Sequence, residues 1–319
     1  MKKPAFTMLE LVFVIIILGI VSSIAASVLA KIYETHLTQR AIHDLSIKTE
    51  LAAEQIANRL QFSIPMLTVA RDPNVWNDVI ELYLNFAGPN PNRTMLEWIG
   101  YDNDSFTTAA TPGWSGYADL NSSLSAPNHS VRTPGSDLNL TDAVIRNLSE
   151  NDIGLIGAAN QRPNLIFSGD IPFRYVPGGD MQLRIACLGL TNTANTGCTI
   201  PITATVANIG ANQNDRIDFV NAAAINMGEF YKIAWSAYAI QPTAPRANGT
   251  FDLNLISHYQ PWQGERWDQD GRSNTLIKNV TVFKFMESAD TFRFKLCAKS
   301  FISGLDASVS TCKEKVITR

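Results

Sequence analysis

Residues 1–31 read "MKKPAFTMLELVFVIIILGIVSSIAASVLAK", and one position in that stretch decides how the rest is read. Leu11 to Ala30 are twenty consecutive residues without a charge, enough for a helix to cross the hydrocarbon layer, which needs about 20 apolar residues. Glu10 stands directly against that run, and a carboxylate is costly inside a membrane unless it has a partner. Lys2 and Lys3 precede the run, and positive charge before a first span favours keeping that end in the cytoplasm, which places the bulk of the chain outside. A cleaved secretory signal competes with this reading, because Ala25, Ala26 and Ala30 supply small residues of the kind found at a cleavage site.

Helical character does not stop at residue 30. Lys31 to Phe62 contain neither Gly nor Pro and are rich in Ala, Leu, Glu, Gln and Lys, all good helix formers. Ile42, Leu45, Ala52, Ile56 and Arg59 recur at intervals that bring them to one face, while Arg40, Asp44, Lys48, Glu50 and Glu54 take the others. That stripe predicts a folded partner. Pro65 is expected to end the helix, which from Phe6 to Phe62 would be about 85 Å long at about 1.5 Å per residue.

On these residues the N-terminus resembles the prepilin-type leader and helix of the type IV pilin and type II secretion pseudopilin superfamily. The shared elements are a short basic leader, a small residue, then Phe-Thr-x-x-Glu opening an apolar helix, here "KKPAFTMLELVFVIIILGI". The resemblance implies that a prepilin peptidase cuts between Ala5 and Phe6 and that the new Phe6 amine is N-methylated. It also implies a role for Glu10: its carboxylate pairs with the terminal amine of a neighbouring subunit as the fibre grows. Opposite charges attract far more strongly in a low-dielectric layer than in water, although each first loses its hydration. Two features depart from the family pattern. Ala5 stands where Gly is usual, and residues 9–62 lack the proline that kinks the helix of many major pilins.

The implied fold class is α+β, a lollipop in which the long N-terminal helix packs on an antiparallel sheet. The expected domains are a leader over 1–5, a membrane half of the helix over 6–30, a periplasmic amphipathic half over 31–64, and a globular domain over 65–319. Within the last, Asp72-Pro73 followed by Val75, Trp76, Val79, Ile80 and Tyr83 predicts a short capped helix. Residues 85–140 are rich in Asn, Pro, Gly and Ser and read as a long loop or insert, with Trp114 and Tyr117 either exposed for a partner or tucked back onto the sheet. Thr141 to Ser149 read as a second short helix, and "PFRYVPGGDMQLRIACLG" reads as a hairpin turning at Gly178-Gly179.

The last third is the clearest β region. In "TFRFKLCAK", Phe292, Phe294, Leu296 and Ala298 alternate with Arg293, Lys295, Cys297 and Lys299, the period of a half-buried strand. Leu276 to Met286, Phe230 to Ile240 and Thr250 to His258 complete an expected four-stranded meander, whose apolar face the helix stripe would cover. "LIKNVTVFKF" and "HYQPWQGERW" are similar to the carboxy-terminal sheets of the larger J-type pseudopilins and W-type minor pilins.

The chain has 319 residues and a formal net charge of -3, so no basic surface argues for nucleic acid. The four cysteines, Cys187 with Cys198 and Cys297 with Cys312, are spaced like two local loop closures, read either as two disulfides in an oxidising compartment or as four buried thiols. Asp268, Asp270 and Asn274 put oxygens on a tight loop of the kind calcium takes, and equally of the kind an Asp-Gly turn uses. No other cofactor is indicated. His36, His43, His129 and His258 match no metal or catalytic spacing, and no nucleophile elbow or phosphate loop is present, so the chain is not expected to be an enzyme. Two functions follow. The first is a structural minor pilin or pseudopilin, inserted in the inner membrane and placed at or near the tip of a fibre, whose partners are sibling subunits, the prepilin peptidase and the inner-membrane assembly platform. The second is a membrane-anchored periplasmic binding protein or adhesin that never enters a fibre.

Overall fold

The computed structural model describes residues 8–82, 92–106, 111–168, 188–191, 200–204, 215–220, 227–288, 291–302, 304 and 307–318. One helix, α1, runs without a break from Met8 to Gln61. Its buried residues, Leu45, Thr49, Ala52, Ala53, Ile56 and Leu60, recur every three or four positions, so they form one stripe on one face. The expected stripe is therefore present over Leu45 to Ile56 and extends to Leu60. Ile42, predicted to belong to it, stays 47% exposed. The helix ends at Gln61, ahead of Pro65, because the chain turns at once into a strand, β1, Ser63–Arg71.

Thirteen strands follow among the described residues, in two antiparallel sheets. The larger sheet begins with β1, β2 (Val79–Glu81) and β3 (Met95–Gly100). The chain then passes through two short helices, α2 (Asn103–Phe106) and α3 (Leu138–Leu148), and the strands of the smaller sheet. These are β4 (Ser130–Arg132), β5 (Asn164–Ser168), β6 (Ile200–Thr203), β7 (Arg216–Phe219) and β8 (Phe230–Ala234). It returns to the larger sheet with β9 (Ser236–Pro242), β10 (Phe251–Tyr259), β11 (Arg272–Ser288), β12 (Thr291–Phe301) and β13 (Ser308–Thr318). The orders are β13-β12-β11-β10-β9-β3-β1-β2 and β4-β7-β6-β5-β8. Since β3 pairs with β9, the smaller lobe is an excursion between two neighbouring strands of the larger sheet.

Alternation along the strands sorts the core into layers. From β3, Leu96 and Trp98 face α1 and join Ala52, Ile56, Leu60, Phe292, Phe294 and Leu296. Met95 and Ile99 point to the opposite face, with Val69, Ala237, Tyr259, Trp262 and Trp267. The middle of the sheet is thus covered on both sides, which is why all six residues of β3 are buried. A third cluster, with Trp114, Ile145, Leu165 and Ile233, holds the smaller lobe together.

Several expectations are corrected by this arrangement. Residues 72–82 form no helix: the Asp72 carboxylate accepts the Asn74 N–H at 2.8 Å, the Asp72 N–H donates to the Asp78 carbonyl at 2.9 Å, and the turn folds β2 back onto β1. The stretch 85–140 is not simply a loop, because it contributes β3, a central strand of the larger sheet. Trp114 is buried, its indole N–H donating to the Asp102 carbonyl at 2.9 Å, whereas Tyr117 is exposed. The strand expected over 230–240 is divided at Trp235 into β8 and β9, which belong to different sheets. The meander holds five strands rather than four, β13 being the addition. The short helix expected at Thr141 begins at Leu138, where Asp137 accepts the Asn139 N–H. The hairpin expected around Gly178-Gly179 lies outside the described residues.

Candidate assembly surface

The two halves of α1 have opposite environments. From Leu45 onward one face is buried on the sheet, while every described residue from Met8 to Glu34 is exposed. Phe13, Ile15, Ile16, Leu18 and Ile20 each show more than half of their surface. Contiguous apolar exposure on this scale far exceeds the patches of ordinary soluble surfaces and marks an interaction surface. The uncharged run spans about 30 Å at about 1.5 Å per residue, so this helix is long and apolar enough to cross a membrane. Lys31 and Tyr33 follow it, a cation and an amphipathic ring of the sort that settles at a membrane boundary.

Glu10 lies in the first described turn of α1. Lys2, Lys3, Ala5 and Phe6 lie outside the described residues, as do Cys187 and Cys198. Cys297 and Cys312 are bonded to each other and sit directly opposite on β12 and β13. At the loop singled out for calcium, the Arg266 guanidinium grips both oxygens of Asp268 at 2.9 and 2.6 Å. The Arg266 backbone N–H donates to Asp270 at 2.8 Å. Asn274 is drawn away into β11, opposite Leu255. These carboxylates face donors, whereas calcium needs converging acceptors.

The helix is anchored by charge as well as packing. Glu50 receives Lys315 at 2.6 Å and Lys313 at 2.9 Å, and Glu54 also receives Lys315. Hydrogen bonds from Lys315 and then Lys313 hold the Glu50 carboxyl down at about 2. Behind the sheet lies a buried polar cluster that sequence reasoning missed. Arg71 on β1 donates to Glu97 on β3 at 2.7 Å and to the Leu190 carbonyl at 2.6 Å. Tyr259 on β10 donates to the other Glu97 oxygen at 2.9 Å. Arg71 also donates to the Trp76 carbonyl and lies 4.2 Å from the centre of its ring, with Arg266 over the same ring at 4.4 Å. The only signal in the sequence was one charge inside each of two apolar runs, "TVAR" and "MLEW".

Among the described residues no group of three or more His, Cys, Asp or Glu converges. His36 and His43 are exposed on α1, and His258 contacts the Leu148 carbonyl and the Ser257 hydroxyl. No family model, no curated protein and no solved structure matches the chain.

Proposed function

We propose that this chain is a prepilin-type structural subunit, a large minor pilin or pseudopilin placed at or near the tip of a type IV pilus or type II secretion pseudopilus. The observation that carries the reading is the division of α1: one half is docked on a sheet, and the other is a bare apolar rod headed by Glu10 and the Phe-Thr-x-x-Glu sequence. A helix built only to anchor a domain needs no acid at the start of its span. In the proposed mechanism the peptidase frees the Phe6 amine, and Glu10 of the entering subunit neutralises the amine of a neighbour. The run Leu11–Ala30 then exchanges lipid for neighbouring helices, while the sheet carries the variable surface outward.

The test is Glu10→Ala, followed by separation of membranes from sheared filaments. The variant should insert in the membrane as well as the parent and vanish from the filament fraction. Equal recovery in filaments would refute assembly through this acid and favour an anchored binding protein.

A further inference from the structure

We infer that the Cys297–Cys312 bond is an exchange site for thiolate reductants, opened at Cys312 while the rest of the chain stays folded, and that its opening loosens the hold of β13 on α1. The two cysteines stand directly opposite each other on β12 and β13. Lys313 reaches Glu50 on α1, so its neighbour Cys312 points to the outer face of the sheet, away from the helix. On β12, Phe294, Leu296 and Ala298 belong to the core under α1, which turns Lys295, Cys297 and Lys299 to the same outer face. There Cys312 is exposed, whereas Cys297 shows only 4% of its surface. Exchange needs a thiolate to reach one sulfur, which is why exposed disulfides are the labile ones.

Access selects the sulfur that is attacked. The incoming thiolate forms a bond to the Cys312 Sγ, the bond to Cys297 breaks, and its electron pair leaves on the Cys297 Sγ. Burial alone makes a thiolate at Cys297 a poor leaving group, and neighbouring cations offset that cost. Lys295 and Lys299 flank Cys297 on its own face, the Lys299 ammonium lying 5.1 Å over the Phe301 ring. Glu314 flanks Cys312 and would repel an incoming anion, but Arg293 sits 3.4 Å from its carboxylate. A second thiolate then attacks the reductant's sulfur, Cys312 leaves, and both cysteines take protons from water. The chain gains two electrons and the reductant becomes a disulfide.

The consequence follows from what β13 holds. Lys315 reaches Glu50 and Glu54, Lys313 reaches Glu50, and Ile317 joins the core beneath the helix. These ion pairs are partly solvated and add little by themselves. The bond ties the stretch that carries both lysines to β12. Once it is open, backbone pairing and Ile317 are left to hold that stretch, and β13 opens as a local unit. The inference needs neither a membrane nor a fibre, so its failure is separable from failure of the subunit reading.

The test treats the full chain in detergent micelles with 2-mercaptoethanol, quenches samples with acid, and reads Cys297 and Cys312 separately by mass spectrometry. The rate should be proportional to the thiol and unchanged by urea below the unfolding transition, and the mixed disulfide should form on Cys312 at least about tenfold more than on Cys297. A rate that climbs with urea in step with global unfolding, or adducts shared equally by the two sulfurs, overturns the proposal; neither readout needs a variant. Lys295→Gln with Lys299→Gln should slow opening about threefold or more at low salt, and an unchanged rate overturns the role of the cations. After reduction, β13 amides should exchange faster with solvent while those of β9 and β10 keep their protection; equal protection of β13 before and after overturns the loosening. A thioredoxin-like dithiol protein separates the two sources of thiolate: reaction faster per thiol than 2-mercaptoethanol assigns the site to protein reductants, slower reaction assigns it to small thiols, and failure of both overturns the exchange site.

Discussion

Replacing Glu97 by Leu strikes the buried cluster that joins β1, β3 and β10. In the native chain Arg71 and Glu97 have no exposed side-chain surface, and the two Glu97 oxygens serve Arg71 and Tyr259. Glu97→Leu keeps most of the volume but leaves a guanidinium without its counter-ion and a phenol without its acceptor. Removing one partner of a buried pair costs about 3–5 kcal/mol. At about 2–4 °C per kcal/mol for a domain of this size, the melting temperature of the full chain in detergent should fall by about 6–20 °C. Adding Arg71→Met removes the stranded cation, so the double variant should recover part of the loss, with a coupling of about 1–3 kcal/mol in the cycle. Recovery is incomplete because the Trp76 and Leu190 carbonyls lose their donor. A Glu97→Leu melt within about 2 °C of the parent, or strict additivity in the cycle, would refute the reasoning.

Two further predictions concern pH and the disulfide. Burial raises the Asp102 carboxyl from 3.8 to about 6. The folded chain therefore binds this proton more tightly than the unfolded chain, and stability should fall as pH rises from about 4 to about 6, by about 3 kcal/mol in all. Asp102→Asn should remove that slope from melting curves taken across the window; an unchanged slope contradicts it. Glu50 acts in the opposite sense, since its carboxyl is lowered from 4.5 to about 2 by the two lysines. Its contribution is complete above about pH 4.5 and lost as pH falls toward 2, so Glu50→Gln should flatten the acid limb. Reduction of Cys297–Cys312, separated by 15 positions in the chain, should cost about 3 kcal/mol. A melt that reductant does not move would show that the hairpin pairing alone fixes β13.

What was legible in the sequence was what depends on local periodicity. The uncharged run, the Gly- and Pro-free continuation and the alternation in "TFRFKLCAK" each carry their own pattern, and α1, β11 and β12 appear where that pattern puts them. The spacing of Cys297 and Cys312 suits a loop closure as well as two buried thiols, and only their strands, which place them opposite each other, decide for the bond. The failures lie where partners distant in sequence decide the outcome. "MLEWIG" shows no alternation because β3 is buried on both faces, and only the sheet order reveals that. "VWNDVIEL" has helical spacing, yet the Asp72 turn and pairing with β1 make part of it a strand. Phe230 to Ile240 read as one strand because nothing local marks Trp235 as the point where the chain changes sheets. The Arg71–Glu97–Tyr259 cluster joins positions up to 188 residues apart through Arg71 and Tyr259, and no short motif records such a contact.

The subunit reading turns on what happens at the bond between Ala5 and Phe6. The direct measurement is the mass of the N-terminal peptide of the membrane-extracted chain, compared between cells with and without an active prepilin peptidase. The account predicts a mature chain that begins with N-methylated Phe6 in the first case and retains all five leader residues in the second. An N-terminus at Met1 in both, or a cut after Ala26 or Ala30, would contradict it.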